Sequence, residues 1–507
     1  MPGGPSDSVA RHSPPVHLVS GWSGRIHRLA RETARRVLPL RVKLWLASGL
    51  DVVRARRQRI DFAARDTTPA HAAPLLSRAR FAGGPILLCN DALSWGGVER
   101  QIVTTLTGLA GVVDRPLGLL CRRLGTDTES DFHLARLAAV DRAALPVLRN
   151  VIGIEEALGL LAEEIGPHAL PELLRHVGWM PADVQGEVVR FAADFARLKP
   201  SVVHAWQDSV SIAAGYAARI VGVPHIILAS RNMAAEHFGY CRSHMQLAYR
   251  DLAACDDVVM LNNSEAGARD YARWIGIAPE RFVVLRNGVD TGVFRRPPAD
   301  AVARLRRSIG IPDGAPVVGS IFRFYPEKQP LLWIRTALEI HRRVGDCHFV
   351  LFGAGPLQHA LEQFARQNGL REVFHLPGPI DGAALGLGLF DVMLLTSRFE
   401  GTPNIVLEAS MLGVPVVATA AGGTAETIDD GETGFVVAGY DPLDLAKRVT
   451  TLLEDRALSD RMRSAGPSFV GERFGLDRML RETCELYGVD GGRLTGRRGA
   501  ASESETK

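Results

Sequence analysis

SRFEGTPNIVLEASMLGVPVVATAAGGTAETIDDGETGFVV, residues 397–437, is the stretch on which the fold of this chain depends. A buried strand is predicted just before it, at residues 391–396, and a helix is predicted to begin near Asn404 after a Gly/Pro loop. An apolar strand from Val414 and a Gly-Gly turn follow. The order strand, loop, helix, strand is typical of a parallel α/β sheet.

Two carboxylates, Glu400 and Glu408, stand on the loop and on the helix of this stretch. A helix N-terminus carries about half a positive charge and unpaired N–H groups, so the loop before Asn404 is a predicted seat for a diphosphate. Glu408 lies among apolar residues, where a carboxylate is expensive to bury alone, and a ligand diol such as ribose would satisfy both oxygens. The structural alternative is one glutamate that caps the helix and one in a salt bridge.

Composition favours a globular protein of two or three domains. The chain has 507 residues, 46% of them hydrophobic and 23% charged, as expected for a chain with a full core. The six cysteines are scattered without a C-x-x-C pair, which opposes a disulfide framework or a zinc site and favours a reducing compartment. No apolar run reaches the roughly 18 residues of a membrane span. We therefore expect a cytoplasmic location.

The charge is concentrated at the N-terminus. Residues 1–80 hold 15 Lys/Arg and 5 Asp/Glu, although the net charge of the whole chain is only +3. We interpret them as a basic, partly helical arm, in which residues 25–60 contact an anionic membrane at its inner face. A solvated or docked arm is the alternative. Nucleic acid is not an expected partner, because the body lacks an aromatic and basic platform. Residues 71–85, rich in Ala, Pro and Gly, are predicted to be a linker.

Two series of alternating strands and helices follow the arm. The first begins with the strand PILLC at Pro85, and we assign residues 81–295 to an N-terminal Rossmann-like domain with a helical insert at about 151–198. The second begins at Val317 and defines a C-terminal Rossmann-like domain, residues 296–470. A helix at 471–490 and a disordered tail at 491–507 complete the prediction. The fold class is thus α/β, with two doubly wound domains facing across a cleft.

Ligands of doubly wound sheets bind beyond the carboxyl ends of the strands. Arg323 and Lys328 follow a predicted strand there and are expected to neutralise a diphosphate. The guanidinium of Arg323 can bind two oxygens at once, whereas the ammonium of Lys328 acts as a point charge. Gly96 and Gly97, in the first loop of the other domain, are expected to let backbone N–H groups approach an anion.

Five motifs resemble the retaining glycosyltransferases of family 4, which have the GT-B fold. They are SWGGVERQIV, PSVVHAWQD, VVLRNGVDTGVF, VGSIFRFYPEKQP and EGTPNIVLEASMLGVPVVAT, and they run in family order between about Pro85 and Tyr487. The resemblance implies a nucleoside-diphosphate sugar as donor substrate, without a further cofactor. No D-x-D occurs in the chain, so a metal clamp on the diphosphate is not expected.

The resemblance also implies residue roles. Arg323 and Lys328 would neutralise the leaving group, Glu400 would meet the sugar hydroxyls, and Glu408 would hold the ribose. The donor-contacting set expected from the resemblance and from the strand ends is Gly96, Gly97, Gly353, Gly355, Gly378, Ile380, Gly401, Thr402, Pro403, Asn404, Ile405 and Glu408.

The acceptor side departs from the family pattern. Many relatives have H-A-H where this chain has His204-Ala205-Trp206, so Trp206 replaces a histidine that is often near the reacting sugar. His204, Asp208, Arg231 and His237 are the candidate acceptor residues.

We therefore expect a metal-independent glycosyltransferase of the hexosyl type, which acts on a glycan or lipid-linked acceptor in the synthesis of a cell-surface polysaccharide or glycolipid. A sugar-nucleotide epimerase of the same fold and a non-catalytic sugar-nucleotide-binding scaffold are the alternatives. An NAD dehydrogenase is disfavoured, because no G-x-G-x-x-G follows the first strand.

Overall fold

Two parallel sheets form the framework of the chain. The computed structural model describes residues 72–125, 131–138, 140–292 and 294–491. The predicted basic arm up to residue 71 and the tail after residue 491 lie outside the described residues. The two sheets and the cleft between them belong to one structural unit.

The N-terminal sheet has seven strands in the order β3-β2-β1-β4-β5-β6-β7. The strands are β1 (Ile86–Asn90), β2 (Leu117–Cys121), β3 (Val147–Asn150), β4 (Val202–Trp206), β5 (His225–Ser230), β6 (Val258–Asn262) and β7 (Phe282–Val284). All pairings are parallel. Strands β1, β2 and β4 are buried along their whole length, as expected for a sheet covered on both faces.

The C-terminal sheet has six parallel strands in the order β10-β9-β8-β11-β12-β13. They are β8 (Val317–Ile321), β9 (His348–Phe352), β10 (Phe374–Gly378), β11 (Val392–Leu395), β12 (Val416–Thr419) and β13 (Gly434–Val437). In both sheets the first strand lies inside and the chain winds outward in two directions, which is the doubly wound arrangement predicted from the sequence.

Helices cover both sheets. Those of the N-terminal half are α1 (Gly97–Leu109), α2 (Leu134–Leu137), α3 (Ile154–Glu164), α4 (Ala169–Val177), α5 (Ala182–Leu198), α6 (Asp208–Val221), α7 (Ser243–Ala253) and α8 (Glu265–Ile275). Those of the C-terminal half are α9 (Ala299–Ile309), α10 (Pro330–Val344), α11 (Gln358–Gln367), α12 (Ala383–Leu387), α13 (Asn404–Met411), α14 (Pro442–Glu454), α15 (Arg456–Phe474) and α16 (Leu476–Tyr487). Within the described ranges no helix is both long enough and apolar enough to span a bilayer.

The last helix, α16, returns to the N-terminal domain. Met479, Leu480, Cys484 and Tyr487 are buried in the same apolar cluster as β1 and α1. The Tyr487 hydroxyl lies 2.8 Å from Nδ1 of His204 on β4. The sequence predicted this helix but not where it packs, since an apolar helix face does not specify which domain it contacts.

The interpretation of residues 71–85 as a linker is wrong for their described part. Ala72, Leu76 and Phe81 are buried in the core of the N-terminal domain, and the N–H groups of Leu75 and Leu76 donate to the ends of α6 at Ile220 and Val221. The small residues and prolines of this segment pack against the N-terminal domain and do not form a flexible linker.

Candidate active site

A cleft of about 1280 Å³ lies between the carboxyl ends of the two sheets. Most residues predicted for the site line it. They are Gly96, Gly97, Asp208, Arg231, Arg323, Lys328, Gly353, Gly355, Ile380, Glu400, Gly401, Thr402, Pro403, Asn404, Ile405 and Glu408. Gly378, His204 and His237 do not line it.

Lys328 and Glu400 form an ion pair in the wall contributed by the C-terminal domain. The ammonium of Lys328, in the short helix Pro326–Lys328 after β8, lies 2.5 Å from Oε1 of Glu400. The hydroxyl of Ser397 donates to the same oxygen at 2.7 Å. Both side chains are mostly buried, so the pair places one positive and one negative group at a fixed point of the cleft.

Arg323 is the exposed cation of the same wall. Its guanidinium lies 5.3 Å from the ring centre of Tyr325, which also lines the cleft. Among the described residues no carboxylate forms an ion pair with Arg323, and the guanidinium retains N–H donors for a ligand in the cleft that it lines.

Glu408 on α13 pairs with Arg100 on α1, across the boundary between the domains. Its other oxygen, Oε2, is buried and has no hydrogen-bond partner in the described chain. Burial raises the pKa of Glu408, and the charge of Arg100 opposes that rise. The sequence analysis missed Arg100, although it follows the Gly-Gly loop by three positions. Arg100 thus pairs with one oxygen of Glu408, and the other oxygen can accept a hydrogen bond from a ligand.

The chain's own polar side chains lie close to Gly96 and Gly97. A Cβ on Gly96 would lie 1.9 Å from Oε2 of Glu99, and one on Gly97 would lie 2.9 Å from Nδ2 of Asn404. A larger residue at either position would thus crowd the side chain of Glu99 or of Asn404. Glu99, in the first turn of α1, places its carboxylate beside Gly96.

Two glycines after β9 allow its loop to pack closely against the loop after β8. A Cβ on Gly353 would come within 2.0 Å of the Phe322 carbonyl, and one on Gly355 would be 2.8 Å from the backbone of Phe324. Gly353 has φ +137, in the region that favours glycine. Gly378 supports this loop by accepting a hydrogen bond from the Gly353 N–H, so it stands behind the cleft wall and not in it.

The loop from Gly401 to Asn404 is held by the N-terminal domain. The hydroxyl of Thr402 donates to the Asn263 carbonyl at 2.5 Å, and Nδ2 of Asn287 donates to Oδ1 of Asn404 at 2.7 Å. Nδ2 of Asn404 in turn donates to the Gly97 carbonyl at 3.1 Å. The predicted diphosphate seat is therefore fixed by both domains when the cleft has this shape.

Asp208 lines the acceptor side of the cleft but its carboxylate is already occupied. Three hydroxyls donate to it, from Tyr240 at 2.9 Å, Tyr249 at 2.8 Å and Tyr271 at 2.5 Å. Burial raises the pKa of Asp208, while these hydrogen bonds lower it. Asp208 thus fixes tyrosines, among them the half-exposed Tyr240, whose ring also lines the cavity.

His204 and His237 do not belong to the acceptor pocket. His204 is fully buried between β4 and α16, and burial holds its pKa well below the ordinary value. Nε2 of His237 lies 2.8 Å from Oδ2 of Asp270, and the imidazole stacks on Phe399. A strand residue with its side chain under a helix cannot reach a ligand at the strand end. No sequence pattern predicted the burial of His204, because Tyr487 of α16 lies 283 residues away in the chain.

Glu236, His237 and Asp270 are, in the described part of the chain, the group whose spacing suits a metal ion, with ligand atoms within 4.8 Å of one another. They lie outside the cleft lining. Asp270 also pairs with Arg273 and accepts from the Ala234 N–H, so protein donors already occupy its oxygens.

Comparison with known proteins shows what the chain is similar to. Residues 302–469 match the sequence model of the family described as glycosyl transferases group 1. The chain is 27% identical over 417 residues to the Vi polysaccharide biosynthesis protein VipC/TviE of Salmonella typhi, an alignment that covers 78% of this chain and 70% of that protein. Residues 302–469 are therefore similar in sequence to the group 1 glycosyl transferases.

A further relative and a solved structure are also similar to this chain. A GDP-mannose-dependent phosphatidylinositol monomannoside mannosyltransferase of Mycolicibacterium smegmatis is 37% identical over 199 residues, which cover 38% of this chain and half of that enzyme. The crystal structure of Anabaena Alr3699/HepE with UDP and glucose matches 80% of this chain and 99% of its own, with a TM-score of 0.61 at 19% identity. That likeness shows the GT-B fold predicted from the sequence.

Proposed function

We propose that this glycosyltransferase is a retaining enzyme of family 4 type, which moves a sugar from a nucleoside diphosphate to a glycan or lipid-linked acceptor. The observation that carries the proposal is the meeting of Arg323, Lys328 and the N-terminus of α13 in one cleft. Each supplies positive charge, and the departing diphosphate is the group on which negative charge develops.

Donor binding assigns separate tasks to the charged residues. Arg323, which pairs with no carboxylate of the described ranges, contacts the diphosphate first, and Lys328 turns from Glu400 to a phosphate oxygen. Glu400 then accepts hydrogen bonds from the hydroxyls of the sugar. The free Oε2 of Glu408 accepts a hydrogen bond from a ribose hydroxyl, which satisfies an oxygen that is otherwise buried without a partner. Positive side chains take the place of a metal clamp in this proposal.

The acceptor side favours a carbohydrate. Among the described residues five aromatic side chains are exposed, and four of them, Trp95, Phe132, Tyr240 and Tyr325, line the cleft. Aromatic rings combine an apolar face with a fixed geometry, and the C–H faces of sugar rings stack on such surfaces. The VipC/TviE relative is named for polysaccharide biosynthesis, which supports a role in cell-surface polysaccharide or glycolipid synthesis.

A thermal-shift screen of the full chain against UDP-, GDP- and ADP-sugars tests the donor assignment. Binding to the folded state raises the unfolding midpoint, and we expect one base to give the largest rise. The matching nucleoside monophosphates are the controls, and they should give a smaller shift because they lack the second phosphate. The absence of any shift with all three classes would refute the proposal. A bound nucleotide sugar that is epimerised, or left intact without release of nucleoside diphosphate, would indicate one of the alternatives.

We also propose that the basic arm attaches the enzyme to an anionic membrane, as its sequence predicts. The structure refines the test, since Ala72, Leu76 and Phe81 belong to the core and must be retained. Deletion of residues 1–71 should reduce sedimentation with phosphatidylglycerol vesicles and leave the thermal shift with the donor unchanged. Equal sedimentation of the two forms would exclude the membrane role.

A further inference from the structure

The backbone of Gln207 has an unusual conformation at the edge of the cleft. Its φ is 67° and its ψ is 153°, a combination that essentially only glycine adopts. Three non-glycine residues of the described chain have positive φ. The other two, Lys199 and Gln329, have the left-handed helical conformation, which other residues adopt more readily. Gln207 therefore carries the greater backbone strain.

The neighbours of Gln207 hold it in this conformation from both sides. Its N–H donates to the Ala229 carbonyl at 3.1 Å, and its carbonyl accepts from the Ser211 N–H at 2.9 Å. Trp206 before it is buried, with the Arg231 guanidinium 4.3 Å from its ring centre. Asp208 after it is fixed by three tyrosine hydroxyls. Strain persists in a protein only where such contacts determine it, and it is concentrated at functional sites.

The strain decides which side chain enters the cleft. Trp206 points the same way as His204, two positions earlier on β4, and the two rings lie 4.8 Å apart in the core. The unusual turn at the strand end directs Gln207 into the cavity instead. Trp206 thus occupies the position of the family's second histidine in the sequence, but Gln207 is the residue that lines the cleft.

Gln207 forms a polar pair with Glu99. Its Nε2 donates to Oε1 of Glu99 at 2.9 Å, and within the described residues its own Oε1 accepts no hydrogen bond. Burial raises the pKa of Glu99, and the charge of Arg323, which belongs to the opposite wall, lowers it. The pair therefore lies close to the cation assigned to the diphosphate, where the sugar attached to that diphosphate has to be placed.

We propose that Gln207 contacts the sugar that is transferred, with its free amide oxygen accepting a hydrogen bond from a sugar hydroxyl and Glu99 fixing its orientation. This inference rests on the proposed function. A contact of this kind acts on the sugar at the point of transfer and not on the nucleotide, so its loss affects turnover more than nucleotide binding.

Two substitutions separate the side chain from the backbone. Gln207→Ala removes the amide and keeps a Cβ, whereas Gln207→Gly removes the amide and also relieves the strain. We expect both variants to release nucleoside diphosphate from the donor about 10-fold more slowly or worse, as for a lost hydrogen bond to the reacting group. The KM for the donor should change less than about 3-fold. Gln207→Gly should also raise the unfolding midpoint by about 2 °C.

Lys199→Gly is the matched control, because it also places glycine at a positive φ but lies at the end of α5, outside the cleft lining. Its rate of nucleotide release should equal that of the wild type. A wild-type rate in either Gln207 variant, or a midpoint of Gln207→Gly that does not rise, would overturn the inference and leave the proposed function intact. A wild-type chain that releases no nucleotide from any donor refutes the proposed function, and this inference with it.

Discussion

At the scale of single residues, both glutamates of the central stretch are paired with cations. Glu400 pairs with Lys328 within one domain, and Glu408 pairs with Arg100 across the cleft. The alternative from the sequence analysis, one glutamate that caps the helix and one in a salt bridge, is therefore met only in part: both glutamates form salt bridges, and within the described residues no side-chain hydrogen bond caps α13. The salt bridge of Glu408 does not exclude a bound ligand, because its other carboxylate oxygen is buried without a partner among the described residues and still requires a hydrogen-bond donor.

Lys328→Ala tests the lysine that pairs with Glu400 and that we assign to the diphosphate. The substitution removes a charged donor that we assign to the diphosphate, so the donor should bind more weakly by about 1–3 kcal/mol. Isothermal titration with the nucleotide sugar identified by thermal shift measures this change. Lys447→Ala, at an exposed position of α14, is the control and should bind as the wild type does. Equal affinity in both variants would remove Lys328 from the site.

Tyr240→Ala tests the aromatic acceptor surface. Its ring is half exposed, fixed by the hydrogen bond to Asp208 and stacked on Phe238 at 5.4 Å. We expect the variant to lower the rate of transfer to the acceptor about 3- to 10-fold, the effect of one lost stacking surface. Release of nucleotide without acceptor should not change.

Two substitutions serve as controls for this test. Tyr240→Phe keeps the ring and loses only the hydroxyl, so it should retain most of the transfer rate. Tyr440→Ala removes the fifth exposed aromatic side chain, which lies outside the cleft lining, and should have no effect. If Tyr240→Ala and Tyr440→Ala behave alike, the aromatic surface has no part in binding the acceptor.

At the scale of elements, α16 ties the end of the chain to the N-terminal domain. Leu480 is fully buried there, and a Cβ on Gly108 of α1 would lie 2.7 Å from its side chain. Leu480→Ala leaves a cavity at this contact and should cost about 2–5 kcal/mol of unfolding free energy. Urea unfolding measures the loss. Leu443→Ala, at a 49% exposed position, should change the midpoint little; similar midpoints for both variants would contradict the packing described for α16.

Local sequence patterns predicted most of the strands and helices, but they predicted few of the contacts between these elements. Apolar runs such as that of β1 and Gly/Pro loops have a local signature, so the two sheets followed from the sequence. Helix α15 was missed because Pro467 interrupts it. The core position of Leu76, the Arg100 partner of Glu408 and the burial of His204 under α16 depend on residues far apart in the chain. Hydrophobic periodicity carries no information about such contacts.

At the scale of the whole molecule, hydrogen bonds between the domains hold the cleft in its present shape. Glu426 of the C-terminal domain accepts from the N–H groups of Glu265 and Ala266, at the first turn of α8. A carboxylate at this helix end is favoured by the helix dipole. Together with the Asn287 and Thr402 contacts, it fixes the walls that carry Arg323 and Gln207 relative to each other. The cleft geometry is thus a property of both domains.

Buried histidines make the stability of this assembly depend on pH. Burial, and secondarily the charge of Arg231, lowers the pKa of His204 well below its ordinary value, and burial lowers those of His133 and His244 to about 4. In the unfolded chain a histidine takes up a proton near pH 6.5, whereas these stay neutral in the folded protein. Protonation therefore favours unfolding, and stability falls as the pH drops below about 6.5. Glu99 and Glu408, whose pKa burial raises, act in the opposite direction.

His204→Leu isolates one histidine from these opposing effects. The substitution changes the absolute stability, but the informative quantity is the slope of unfolding free energy against pH between about 6.5 and 5. The slope should decrease by up to about 1.4 kcal/mol per pH unit, because one proton fewer is taken up on unfolding. Urea unfolding at several pH values measures it. His359→Leu, with a side chain 82% exposed, should keep the wild-type slope. An unchanged slope in His204→Leu would mean that His204 is already protonated in the folded protein, which a fully buried imidazole beside Tyr487 and near Arg231 does not allow.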